Sequence, residues 1–244
     1  MDARDDTAAV RAELDRWLDA AGHDLAEPAR TIKSFLALLE RRHAPALDAE
    51  AREFIGFAVD AASRLEAMLA ALLELGRVGK EPCSPEPVDL GSVLDKVIAS
   101  LGRELEEAGG RIEVRTLPVG RGSRKLWRRL FTILVENALR YRGSAPPLIR
   151  IGGNTGSITV ADNGIGIDPR FRARIFEPFQ RLHTRDAIPG CGMGLTIARR
   201  IAEHVGCTLE VEAAEGGGSV FVVSLPDPQP APSVAPSTAP SAAP

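Results

Sequence analysis

The stretch VADNGIGID, residues 160–168, reads in two ways, and the choice decides the fold. Read alone, Asn163-Gly164 after a β-rich run is a hairpin turn. Read as a site, its glycines let backbone approach a ligand, and Asp162 is an acceptor suited to an exocyclic amine. Nothing inside the stretch separates the two readings, so its neighbours must.

Downstream, PGCGMGL (189–195) opens a helical run. Gly190, Gly192 and Gly194 free backbone N–H groups where the helix dipole favours anions. This is not a dinucleotide fingerprint, because no strand precedes it and the spacing is G-x-G-x-G. A G-x-x-x-x-G-K-[ST] loop occurs nowhere in the chain. GGGSVF (216–221) is either a turn before the last strand or a third glycine segment, with Ser219 beside it. Upstream, LVENALRY (134–141) sets Asn137 in an apolar helical run, where it costs helix propensity. Asn137 either satisfies a backbone group or offers a hard amide oxygen to Mg²⁺. Arg140, three residues on, shares its face.

These pieces sit in a region, residues 89–226, that reads as an α/β domain. Helices are expected in DLGSVLDKVIASLGRELEEAG, RKLWRRLFTILVENALRYR and GLTIARRIAEHVG. Strands are expected in RIEVRTLP, PLIRIGG, GSITVAD, CTLEVEAAE and GSVFVVSLP. Gly206 is placed to end the last helix. This order predicts helices layered on one face of a mixed sheet.

Before it, residues 1–79 read as a helical hairpin. Leu14, Leu18, Ala21, Leu25, Pro28, Ile32, Phe35 and Leu39 step by fours and threes, as do Ile55, Ala58, Ala62, Leu65, Leu69 and Leu72. HAPALD (43–48) supplies the turn, and Asp48 is placed to cap the second helix. Two helices bury little alone, so a homodimeric four-helix bundle through residues 10–79 is expected, with packing on the second domain as the alternative. The overall class is α+β. Residues 80–88, inside the proline-bearing GKEPCSPEPVD, read as a linker. Residues 227–244, low-complexity Pro/Ala/Ser, read as a disordered tail.

The 244 residues carry a formal charge of −3 and give no reason to expect nucleic acid. No apolar run is long enough to span a membrane, and the acidic N-terminus lacks a signal-peptide core. Three scattered cysteines imply neither a disulfide framework nor a zinc site, and a reducing cytoplasm is the simplest compartment.

The order of the motifs is more specific than any one of them. An Asn helix, D-x-G-x-G, a loop, G-x-G-x-G and G-x-G-[ST]-x-F resemble the N, G1, G2 and G3 boxes of the Bergerat ATP-binding domain of sensor histidine kinases. IFEPFQRLHTRD (175–186) is similar to the F box and lid, and GHDLAEPARTI (22–32) to the phosphoacceptor box, in wording closest to phytochrome-class kinases. The resemblance covers roughly residues 10–226. It implies that His23 accepts the γ-phosphoryl group of ATP and that Asp24 hydrogen-bonds the other ring nitrogen. It implies that Asn137 holds Mg²⁺, that Arg140, Arg181 and His183 contact phosphates, and that Tyr141 packs near adenine. Asp162 would accept from the adenine amine. Gly164, Gly166, Ile167, Phe176, Gly190, Gly192, Gly194, Leu195 and Ser219 would line the nucleotide. The implied partners are a response-regulator receiver domain, a second copy of the chain and a separate sensor protein or domain. The alternative within the family is a degenerate relative that docks a receiver or relays phosphate without ATP turnover.

Helical geometry adds its own expectation. At about 100° per residue, His23 points away from the seam pair Ala21 and Leu25, onto an outer face. Pro28 is expected to bend the helix just beyond it. Two residues depart from the family pattern. Ile133 stands where many kinases carry a second Asn and where ATP-hydrolysing clamps carry a water-activating Glu, which argues against a clamp. Glu27 stands where strong phosphatases usually carry Thr or Asn, so weak phosphatase activity is expected.

Overall fold

The computed structural model describes residues 27–83, 86–182 and 190–226. His23, Asp24, His183, the seam residues from Leu14 to Leu25 and the tail from residue 227 lie outside the described residues.

A first helix, α1 (residues 27–43), turns through a short 3₁₀ segment, Ala44–Ala46, into α2 (Ala49–Val78). Asp48 caps α2 as expected, its carboxylate accepting from Ala51 N at 2.7 Å. Arg52 ties the turn by donating to the carbonyls of Ala44 and Leu47. On the hairpin Ala29, Ile55, Ala62 and Leu69 are buried. Lys33 bridges to Glu66 at 3.0 Å. Ala58 and Leu72 of the expected seam are half-buried, whereas Ile32, Phe35, Leu39 and Leu65 are exposed, together with Phe54 and Phe57, which the seam reading omits. Two helices share one contact line, so a wider apolar stripe cannot close within a single hairpin.

The C-terminal part of α2 packs against the second region, with Ala71 and Val78 inside its core. The stretch read as a linker is fastened at Glu81. Glu81 accepts from Lys125 Nζ at 2.6 Å and Ser123 Oγ at 3.3 Å. Its carbonyl lies 2.8 Å from His204 Nε2. The same stretch ends in a strand, β1 (Pro87–Asp89), antiparallel to β3 (Val119–Arg121), with Val88 buried between them and the core.

Asp89 then caps α3 (Leu90–Glu107), accepting from Gly91 N and Ser92 N. Next come β2 (Arg111–Val114), α4 (Arg124–Arg140), β4 (Leu148–Gly153), β5 (Ser157–Asp162), α5 (Gly194–His204), β6 (Thr208–Ala213) and β7 (Ser219–Ser224). The main sheet has the order β2-β4-β5-β7-β6, with β2 parallel to β4 and the other pairs antiparallel. Alternate residues Ile149, Ile151, Ile158, Val160, Leu209, Val211, Phe221 and Val223 are buried on one face. Against them lie Leu94 and Val97 of α3, Trp127, Phe131 and Leu134 of α4, and Ile197 and Ile201 of α5. Each such side chain contributes about 1.5–3 kcal/mol on burial. Trp127 keeps its polar edge satisfied by donating to Arg121 O at 2.8 Å. Helices on one face of a mixed sheet is therefore the observed arrangement. Gly206 closes α5 at φ +79°. Cys83, Cys191 and Cys207 are free thiols.

Candidate functional site

The site lies where α4 ends, β5 ends and α5 begins. Tyr141 caps α4, its N–H donating to Asn137 O at 2.9 Å. The Tyr141 carbonyl accepts from Ile165 N at 3.0 Å, so the 163–166 turn is docked on the helix end. This contact explains Gly164. A Cβ there would strike the Tyr141 carbonyl oxygen and come within 2.9 Å of Asp162 Oδ1. Asn163 is occupied by the fold, accepting from Leu148 N at 2.8 Å and donating to Pro146 O at 3.0 Å. Asn163-Gly164 therefore forms a turn, but not the hairpin turn between paired strands that it suggests alone, since β5 pairs with β4 and β7 and a loop follows it.

Asp162 Oδ1 accepts from Gly164 N at 2.8 Å and Ser219 N at 3.2 Å. Among the described residues Oδ2 accepts no hydrogen bond, which leaves it for a ligand donor. Burial pushes the carboxyl above its ordinary value, against the opposing pull of those two N–H groups.

Asp162 lines a pocket between the end of α4, the turn after β5 and the start of α5. Asn137, Arg140 and Tyr141 line it from α4, and Gly166 and Ile167 from the turn. Arg181, Gly190, Gly192, Gly194 and Leu195 line it from the loop and α5, and Ser219 from β7. Gly192, at φ +75°, has no room for a side chain, because a Cβ would sit 2.7 Å from Gln180 O. Met193 caps α5 without a side-chain bond, so the first N–H groups of α5 remain as anion donors at the pocket. The guanidinium of Arg140 approaches Gly190 across the opening. The pocket therefore joins an acidic, amine-accepting end to a cationic end.

The structure brings twelve of the fifteen expected nucleotide-contacting residues to this pocket. Gly164 and Phe176 are elsewhere: Gly164 packs on Tyr141, and Phe176 is buried beneath the guanidinium of Arg199, 5.1 Å from its ring centroid. His183 lies outside the described residues. Ile165, Ile175, Gln180 and Leu182 also line the pocket and were not expected. For Ile165, Ile175 and Leu182 the signal is an excess of apolar residues in a loop-rich region with no sheet or helix face to bury them, and Gln180 carries no such signal.

Asn137 fits a metal–phosphate site. Its carboxamide has no hydrogen-bond partner among the described residues. It is a hard oxygen donor beside cationic groups. Mg²⁺ takes few protein ligands and completes its shell with phosphates and water, so one amide oxygen is a sufficient protein contribution. One turn earlier on α4, Ile133 is 4% exposed and packs beneath Gly194 as an apolar floor. It offers neither a metal ligand nor a base for water.

Comparison with known proteins agrees with this geometry. The profile of the histidine kinase-, DNA gyrase B-, and HSP90-like ATPase family matches residues 122–229. Phytochrome-like protein Cph1 of Synechocystis is 37% identical over 219 residues, covering 88% of this chain and 29% of that protein. Cyanobacterial phytochrome A of Nostoc is 38% identical over 220 residues, covering 88% of this chain and again 29% of the relative. The chain thus spans less than a third of the length of these relatives. Among solved structures, full-length ShkA in complex with AMPPNP superposes with a TM-score of 0.63 at 26% identity, covering 86% of this chain and 45% of that one. Histidine kinase AdeS of Acinetobacter baumannii, at 19% identity and a TM-score of 0.56, shares the fold over 85% of this chain and 98% of its own. No described helix is long and apolar enough to cross a membrane. Residues 122–229 thus match the ATPase family that histidine kinases share with DNA gyrase B and HSP90, and a helical hairpin precedes that region.

Proposed function

We propose that this chain autophosphorylates His23 from Mg-ATP and passes the phosphoryl group to an Asp of a response-regulator receiver domain. The observation that carries the reading is Asp162: one carboxylate oxygen held by two backbone N–H groups, the other free in a pocket whose far end is cationic. An adenine amine suits the first end and a polyphosphate the second. ShkA, crystallised with AMPPNP, supports the nucleotide class.

Phosphoryl transfer depends on positioning and charge. Arg140, Arg181 and the α5 N-terminus orient the phosphates. Mg²⁺, held by Asn137, would supply neutralisation of charge between them. A neutral imidazole nitrogen of His23 forms the N–P bond as the bond from Pγ to its bridging oxygen breaks, and the electron pair leaves on ADP. Asp24 holds the proton on the other ring nitrogen. Ile133 supplies no base for water, so hydrolysis does not compete at the pocket. Glu27 offers no hydroxyl or amide to orient water at phosphohistidine's partner, in keeping with weak phosphatase activity.

The exposed stripe of Ile32, Phe35, Leu39, Phe54, Phe57 and Leu65 supports a second copy as partner, forming a four-helix bundle. A separate sensor protein or domain supplies input, and the site of action is the cytoplasm.

The experiment is incubation with γ-labelled ATP, with and without Mg²⁺. Acid-labile, alkali-stable label that needs the metal is expected. Release of inorganic phosphate with no label on the protein would contradict the proposal.

A further inference from the structure

A second crevice runs between α2 and the loop before α5. Ala61, Arg64, Leu65 and Met68 form one side, and Phe179, Arg181, Gly190 and Cys191 the other. Arg181 and Gly190 also line the nucleotide pocket, so the two cavities meet across those residues. Arg64 is the cation that α2 brings to this junction.

Its state is unusual for an arginine. Nε is shielded from solvent and has no hydrogen-bond partner. Its carboxylate neighbour, Asp60, lies one turn back with Nε–Oδ2 at 3.4 Å, outside hydrogen-bond geometry. Asp60 is 70% exposed and Arg64 38%, so water screens that pair. A guanidinium N–H withdrawn from water without an acceptor is costly, and such groups mark missing partners. The apolar side chains of Leu65 and Met68 beside it lower the local dielectric and raise the worth of an anion there.

The two ends of the nucleotide pocket say which anion. Asp162 anchors the amine end, and Arg140 at Gly190 marks the phosphate end. Arg181 and Gly190, shared by the two cavities, put that phosphate end next to the crevice that Arg64 lines. We propose that Arg64 reaches from α2 to the terminal phosphate of the bound nucleoside triphosphate, and so distinguishes triphosphate from diphosphate. The planar guanidinium suits two phosphate oxygens at once, which an ammonium cannot match. The inference rests on the reading of the pocket as an ATP site. It adds that the hairpin completes that site.

Calorimetric titration of wild type, Arg64→Gln and Arg64→Lys with Mg-ATP and with Mg-ADP tests it. Arg64→Gln should weaken ATP about tenfold and ADP less than about twofold, with Arg64→Lys between, as loss of one charge-assisted phosphate contact predicts. An unchanged ATP-to-ADP preference would overturn the inference while leaving the pocket intact. Equal weakening of both nucleotides would also overturn it, since that marks lost packing. A wild type that binds neither nucleotide would overturn the pocket reading itself.

Discussion

Glu74 of α2 and Arg129 of α4 are joined by two parallel bonds, Arg129 Nη2 to Glu74 Oε2 at 2.8 Å and Arg129 Nε to Glu74 Oε1. The pair ties the hairpin to the ATP-binding domain, and Glu74 raises the Arg129 pKa above its ordinary value. Both side chains are about a third exposed, so the link contributes about 1 kcal/mol or less and weakens with salt. Glu74→Gln should speed proteolysis of the 80–86 segment, and the charge swap Glu74→Arg with Arg129→Glu should restore protection. Unchanged cleavage in both variants would show that α2 and α5 packing suffices alone.

Asp162→Asn should fold. Asn can accept the Gly164 and Ser219 N–H groups, but its second group becomes a donor facing the ligand amine. ATP affinity should fall at least about tenfold, the cost of two opposed donors, with the thermal midpoint nearly unchanged. The raised carboxyl pKa adds a pH signature. Binding needs the ionised acceptor, so it should fade as pH drops through the raised value. Folding runs the other way: the native state prefers the protonated form, so stability falls as pH rises from 3.8 through the raised value. Asp162→Asn should flatten both slopes, measured by titration calorimetry and denaturant unfolding.

Gly164→Ala places a methyl group against the Tyr141 carbonyl, which the α4 end cannot move aside. The cost should be about 1–3 kcal/mol, read as a lower denaturation midpoint at constant slope. A stability equal to wild type would mean that the turn shifts freely, and with it Asp162.

Phe35 and Phe57 are 67% and 63% exposed on the hairpin. Phe57→Glu should shift the chain from dimer to monomer in sedimentation, with the ATP pocket still binding nucleotide. A dimer that survives Phe35→Glu and Phe57→Glu together would place the interface elsewhere.

The main sheet and helices are legible in the sequence because their periods are long and their turns carry Asn, Asp and Gly. The β1–β3 pair is not. Each strand has three residues, and β1 sits in a proline-bearing stretch where Val88 is the single apolar residue to bury. The polar site residues stand out because Asn137 and Asp162 interrupt apolar runs. Ile165, Ile175 and Leu182 do not, since an apolar side chain in a loop has the same appearance whether it faces a ligand or a core. Phe176 illustrates the ambiguity. One position separates it from Ile175 in a 3₁₀ turn, and that step turns it from the pocket to Arg199. The hairpin period shows that α1 and α2 pack, but not which apolar residues they keep for another partner.

Delivery of phosphate from the pocket to a single histidine is open to direct measurement. Wild type and His23→Gln should be incubated with γ-labelled Mg-ATP under conditions where both are shown to bind the nucleotide. Acid-labile label on wild type, absent from His23→Gln, is the predicted result. Equal labelling of the two proteins, or none on either with ATP bound, would contradict it.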